Sequence, residues 1–183
     1  VHIYLALQEL LAREVNPAEQ CTLTVGSMLF GDGATNVIPS VGVLNGTMRG
    51  FNAELIDQLR KRVEEVSVGT ARVFGGDAEV EWLFSSPAMY CDADFTDDVV
   101  RYATDVVGAE RMIPKKERAT GSEDFAYFGQ KVPSQIFWLG AGVEDKSKRF
   151  SNHNPKVLFS EEALPYGAAV YAQCAIQWLK EHK

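Results

Sequence analysis

Residues 21–30 read Cys-Thr-Leu-Thr-Val-Gly-Ser-Met-Leu-Phe, and residues 37–51 read Val-Ile-Pro-Ser-Val-Gly-Val-Leu-Asn-Gly-Thr-Met-Arg-Gly-Phe. The first run alternates through Leu23 and Val25 and the second through Val41 and Val43, the two-residue period of strands with one face on a core. Gly31-Asp32-Gly33 between them is turn material, so the stretch predicts a long hairpin.

Working outward, the segment before the hairpin is helical in period, with Ile3, Leu7, Leu10 and Leu11 on one face, and Pro17 ends it. No N-cap and no starting methionine precede it, so the chain is expected to begin mid-protein, with any targeting signal upstream. After the hairpin, Asn52 is a good N-cap for a helix on which Ile56, Leu59, Val63 and Val66 share a stripe up to Gly75-Gly76. Ala78 to Phe84 then reads as a strand with Val80, Trp82 and Phe84 on one side. Residues 1–88 thus run helix, strand, strand, helix, strand, a ferredoxin-like split β-α-β domain lacking its first strand.

Beyond Ser85-Ser86-Pro87 the pattern changes, and residues 89–183 form a second expected domain of alternating helix and strand. Asp94 or Thr96 is placed to cap a helix through Val99, Ala103 and Val106, and Ser122 to cap another. Gln135-Ile136-Phe137-Trp138-Leu139 is a continuous apolar run closed by Gly140-Ala141-Gly142, as in a strand buried on both faces of a parallel sheet. The last helix opens at Ser160 and carries Leu164, Ala168, Tyr171, Ala175 and Trp178. The expected fold class is α/β: part of a parallel-sheet domain joined to an incomplete α+β domain.

The 183 residues are 46% hydrophobic and 10% aromatic, enough for a substantial core. Net charge is −7 and the pI near 5.0, which excludes an electrostatic footprint for nucleic acid or an anionic membrane. No apolar run approaches the ~20 residues of a membrane helix. Cys21, Cys91 and Cys174 are scattered, with no Cys-x-x-Cys pair, so neither a disulfide framework nor a cysteine zinc site is indicated and a reducing, cytoplasmic setting is the expectation.

Of three histidines, His2 lies in the opening helix and His182 in the C-terminal tail, where packing and solvation account for them. His153 differs, because Ser151-Asn152-His153-Asn154-Pro155 follows the apolar run, and loops after buried strands are where α/β proteins place their sites. Glu123 and Asp124 fall in the first turn of an expected helix, which the helix dipole alone explains; a catalytic pair remains the alternative. Asn36 before a strand and Arg49 at its end are ordinary singly.

As an ordered set they are not ordinary. Asn36-Val37-Ile38-Pro39, Gly46-Thr47-Met48-Arg49, Gly121-Ser122-Glu123-Asp124-Phe125-Ala126, Leu139-Gly140-Ala141-Gly142, His153-Asn154-Pro155 and Glu161-Glu162-Ala163-Leu164-Pro165 follow one another along nearly the whole chain. The series resembles the zinc-dependent aminoacylase and hippurate-hydrolase branch of metallopeptidases, including indole-acetyl-amino-acid hydrolases. Ser122 departs from it, since the family often has a second glycine there, which touches the pocket near Glu123.

The resemblance implies that 1–88 is most of a lid and dimerisation domain and 89–183 the C-terminal portion of a catalytic domain. It implies hydrolysis of the amide bond of N-acyl amino acids, two divalent metal ions (zinc, or manganese or cobalt), and a homodimer formed through the lid. It makes His153 a metal ligand and Asn36, Arg49 and Glu123 substrate-binding residues. The other ligands and the general base are expected upstream of Val1, so no catalytic residue is assigned here and the chain alone is expected to hold no metal tightly and to be inactive. The competing reading is a ferredoxin-like binding or dimerisation module that performs no chemistry.

Overall fold

The computed structural model describes residues 1–31, 33–114 and 117–183. The chain divides into two compact units, one of Val1–Ala88 with Ala119–Asp124, the other of Met89–Arg118 with Phe125–Lys183.

In the first unit α1 (His2–Glu9) continues into a π-type turn over Leu10–Glu14. Strands β1 (Cys21–Phe30) and β2 (Gly42–Gly50) pair antiparallel, from Cys21 opposite Gly50 to Phe30 opposite Gly42. The register slips at Gly26, which has no partner. That bulge lets Met28 rejoin the face of Leu23 and Val25, because one extra residue offsets the two-residue period. Gly46, opposite Val25, needs to be glycine: a Cβ there would stand 2.6 Å from the Thr24 carbonyl oxygen.

Helix α2 (Ala53–Val73) starts at Asn52, whose Oδ1 accepts from the Leu55 N–H at 3.2 Å, as its cap chemistry requires. Leu59 and Val63 of α2 are buried with Leu7 and Leu10, and the inner face of the hairpin packs on this cluster through Leu23, Val25 and Met48. Each such side chain contributes about 1.5–3 kcal/mol on full burial. Arg62 donates to both carboxylate oxygens of Glu14, at 2.7 and 2.8 Å, tying α2 to the π-type turn.

The expected third strand is not formed. Residues 78–84 join no ladder, although Val80 packs against the same core. Alternation reports which side chains face a core; a strand also needs a neighbouring backbone, and the described residues place none beside this one.

In the second unit α3 (Ala93–Val107) packs against α5 (Leu164–Glu181), burying Val99, Tyr102 and Ala103 on one side and Gly167 and Val170 on the other. The cap of α3 is Asp92, whose Oδ1 accepts from the Phe95 N–H at 2.9 Å, and neither Asp94 nor Thr96. Thr96 lies inside the helix, where its hydroxyl donates back to the Asp92 carbonyl at 2.5 Å. Ser122 caps no helix; the short α4 (Ala126–Gly129) begins after Phe125 without a side-chain cap. The last helix opens with a 3₁₀ turn, Glu161–Ala163.

The expected parallel strand over 135–142 is likewise absent. The segment rests on α5, with the Phe137 and Tyr171 rings 5.2 Å apart and Leu139 beside Gly167, and its one ladder contact is a bridge from Gly142 to Phe159. Trp138 is 66% exposed, so burial on both faces is not met within this chain. The architecture is therefore mixed α/β with a two-stranded antiparallel sheet among the described residues, and the parallel sheet expected from the apolar run is not part of it. No helix among those residues is long and apolar enough to cross a membrane.

Candidate functional site

His153 sits in a loop whose neck is pinned. The Gly142–Phe159 bridge closes it, and the Ser160 N–H donates to the Ala141 carbonyl at 2.8 Å. Inside, the Arg149 Nε–H donates to the Val143 carbonyl at 2.6 Å. Asp145 accepts from the Ser147 hydroxyl at 2.6 Å and from its N–H at 3.0 Å, and these bonds hold the Asp145 carboxyl below its ordinary range.

The imidazole rides on a tight turn in which the Asn154 N–H donates to the Ser151 carbonyl at 3.1 Å. His153 occupies the third position of that turn at φ 68°, the only non-glycine residue at positive φ among those described. A third-position residue with positive φ is what a type II turn demands, and glycine or asparagine fills it most cheaply. Asn154 then accepts from the Lys156 N–H through Oδ1 at 2.9 Å and from the Val157 N–H through its carbonyl at 3.0 Å. An exposed histidine is thus held on strained backbone by bonds on its C-terminal side, the type of outlier that motivates a functional reading.

Arg49 lies on the face of the hairpin turned away from the core, opposite Thr22, and its Nη1 donates to Thr47 Oγ1 at 3.0 Å. The same face carries Thr24 opposite Thr47 and Ser27 opposite Asn45, whose Nδ2 donates to Ser27 Oγ at 3.0 Å. Thr24, Gly26, Ser27, Asn45, Gly46 and Thr47 line a shallow depression of about 340 Å³ around the bulge. Gly46 and Thr47 stand in the sequence motif with Arg49, whereas Thr24, Gly26, Ser27 and Asn45 are not singled out by it. Stepping back from Arg49 by two and four residues along the strand finds Thr47 and Asn45, and that periodicity was the available signal.

Asn36 is exposed in the connection that enters β2, at the opposite end of that strand from Arg49. Glu123 is exposed and belongs to the first unit with Asn36 and Arg49, whereas His153 belongs to the second.

Two metal ions need more ligands than this. Zinc in a catalytic site normally takes three protein ligands, and no group of three or more histidine, cysteine, aspartate or glutamate side chains among the described residues is arranged to hold a metal. His153 is chemically suited to be one ligand, but the residues present do not fit a complete metal centre.

A sequence model of peptidase family M20/M25/M40 matches residues 7–177. The chain belongs to this family. Among M20/M25/M40 relatives it is 34% identical over 184 residues to IAA-amino acid hydrolase ILR1-like 2 of Arabidopsis thaliana, covering 98% of this chain and 40% of that protein. It is 35% identical over 164 residues to N-acetyldiaminopimelate deacetylase of Streptococcus suis, covering 87% of this chain and 41% of the relative. The crystal structure of an M20-family, dinuclear metal binding peptidase, the YxeP protein of Bacillus subtilis, shares the fold at a TM-score of 0.73 and 24% identity, with 98% of this chain and 45% of that one covered. A structure from methicillin-resistant Staphylococcus aureus reaches 0.76 at 29% identity, over 95% of this chain and 44% of that one. The chain spans about two fifths of the length of the curated relatives it matches.

Proposed function

We propose that this chain forms part of a metal-dependent amidohydrolase that cleaves the amide bond of N-acyl amino acids. What carries the reading is the family match over residues 7–177, together with relatives named for hydrolysis of an amino-acid conjugate and for deacetylation of an amino acid. In this reading His153 is one ligand to one of two divalent ions, zinc or else manganese or cobalt. The remaining ligands and the general base come from outside the 183 residues. Alone, the chain binds no metal tightly and hydrolyses nothing.

The first unit serves as lid and dimerisation domain in this reading. Arg49 meets the substrate's α-carboxylate, because a guanidinium offers two parallel N–H donors that match the two oxygens. Asn36 donates its amide N–H to the substrate carbonyl, where negative charge develops. Both act in the active site of the partner subunit of a homodimer. Glu123 lies at the substrate pocket.

A second reading is a binding or dimerisation module without chemistry. Replacing His153 with alanine in the complete, hydrolytically active assembly separates the two. The proposal expects turnover to fall by orders of magnitude with thermal stability little changed. An unchanged rate at full metal content would remove His153 from the metal centre.

A further inference from the structure

Of the motif Gly46-Thr47-Met48-Arg49, the proposed function uses Arg49 alone and leaves Thr47 without a part. The pleat puts Thr47 and Arg49 on the outer face of β2, while Met48 between them turns to the core. On that face Arg49 Nη1 donates to Thr47 Oγ1 at 3.0 Å. Among the described residues the Arg49 side chain has no other hydrogen bond and no ion pair.

A guanidinium carries its N–H donors in one rigid plane, and a bond through Nη1 leaves the edge formed by Nε and Nη2 untouched. That edge presents parallel N–H groups, the pair that a carboxylate accepts bidentately. In Arg49 nothing among the described residues accepts from it.

An unanchored arginine on a strand samples many rotamers, and ordering it on binding costs affinity. Thr47 is suited to remove part of that cost. Its β-branched side chain is restricted at χ1, so its hydroxyl is a well-placed acceptor. The backbone beneath is held in register as well: Thr47 pairs with Thr24, and beyond the bulge Ser27 Oγ accepts from Asn45 Nδ2 at 3.0 Å.

We propose that Thr47 is a positioning residue for substrate recognition: its hydroxyl anchors the Arg49 guanidinium and leaves the Nε–Nη2 edge open for the α-carboxylate of an N-acyl amino acid. This rests on the carboxylate role given to Arg49 above. Thr47 acts through Arg49 and on binding, so KM carries its effect and kcat does not.

The test is steady-state kinetics of the complete enzyme on an N-acyl amino acid with a free carboxylate and on its amidated counterpart. Thr47→Val keeps the shape and the strand propensity and deletes the hydroxyl. It raises KM for the free acid about five-fold, leaves kcat in place and spares the amide. Thr47→Ser, which keeps the acceptor, restores most of the affinity. In an Arg49→Ala background Thr47→Val adds nothing, because the residues act as a unit. Thr24→Val, across the ladder and without a bond to Arg49, is the control and changes neither KM. The proposal is overturned if Thr47→Val spares the free acid while Arg49→Ala does not, a result that leaves the carboxylate role of Arg49 standing. It is overturned as well if Thr47→Val weakens both substrates alike, if serine fails to rescue, if Thr24→Val matches it, or if its effect persists without Arg49. Arg49→Ala acting equally on both substrates removes the carboxylate role and this proposal with it.

Discussion

Tyr102 donates a 2.7 Å hydrogen bond from its phenol to Glu181 Oε2, joining the middle of α3 to the last turn of α5. Arg101 closes on the same carboxylate from Nη1 at 3.0 Å and Nη2 at 2.8 Å, while Nη2 also meets Asp98 at 2.7 Å. These donors, Arg101 first and then Tyr102, hold the Glu181 carboxyl down to about 2.

That contact sets a pH dependence for the second unit. An acid whose folded pKa lies below its ordinary value stabilises the fold above the ordinary value and loses that contribution as pH falls toward the folded one. The window for Glu181 runs from about 4.5 down to about 2. Glu181→Gln should therefore lower the denaturation midpoint at pH 7, with the gap to the natural chain closing as pH falls through that window. A constant gap would show that the charge is not what matters.

The turn at His153 separates backbone cost from chemistry. Alanine at positive φ pays about 1 kcal/mol that glycine does not. His153→Gly should be more stable than His153→Ala by about that amount in urea denaturation, and both should be equally defective in turnover of the complete enzyme. Equal stabilities would mean that the strain at φ 68° is not felt.

For Arg49 the discriminating change is to lysine, which keeps the charge and loses the two-pronged geometry. In the complete enzyme Arg49→Lys should raise KM for N-acyl amino acids with a free carboxylate and spare their amidated counterparts. Equal loss on both would show that Arg49 does not read the carboxylate.

How far this was readable in the sequence depends on whether the signal was local. The Asn52 cap and the stripe through Leu59 and Val63 are set by neighbours in the chain and form where the pattern places them; the hairpin forms too, but its second strand is shorter, Gly42–Gly50, and turns Met48 to the core while Val41 and Val43 stay exposed. Residues 78–84 and 135–142 carry strand patterns whose partners must come from elsewhere, so the apolar face was legible and the ladder was not. Tyr102 and Glu181 meet 79 residues apart on facing helices, and nothing local in the sequence announces them. For the candidate site, His153 stood out by its place after an apolar run, while its positive φ depends on the Ser151–Asn154 turn closing.

The first unit should bring chains together. Among the described residues each strand of the hairpin pairs along one edge, and unpaired edges invite a second copy. Static light scattering at concentrations of about tens of micromolar, the range in which modest interfaces populate, should give twice the 20.2 kDa chain mass. A monomer with an intact circular-dichroism spectrum would count against dimerisation through the lid.

In the proposed function His153 is one metal ligand of a site that these 183 residues do not complete. Metal analysis of the purified chain after dialysis against zinc-containing and then metal-free buffer, with hippurate hydrolysis measured on the same sample, tests this most directly. The expected result is less than one tightly held zinc per chain and no turnover; two retained metals with measurable hydrolysis would contradict it.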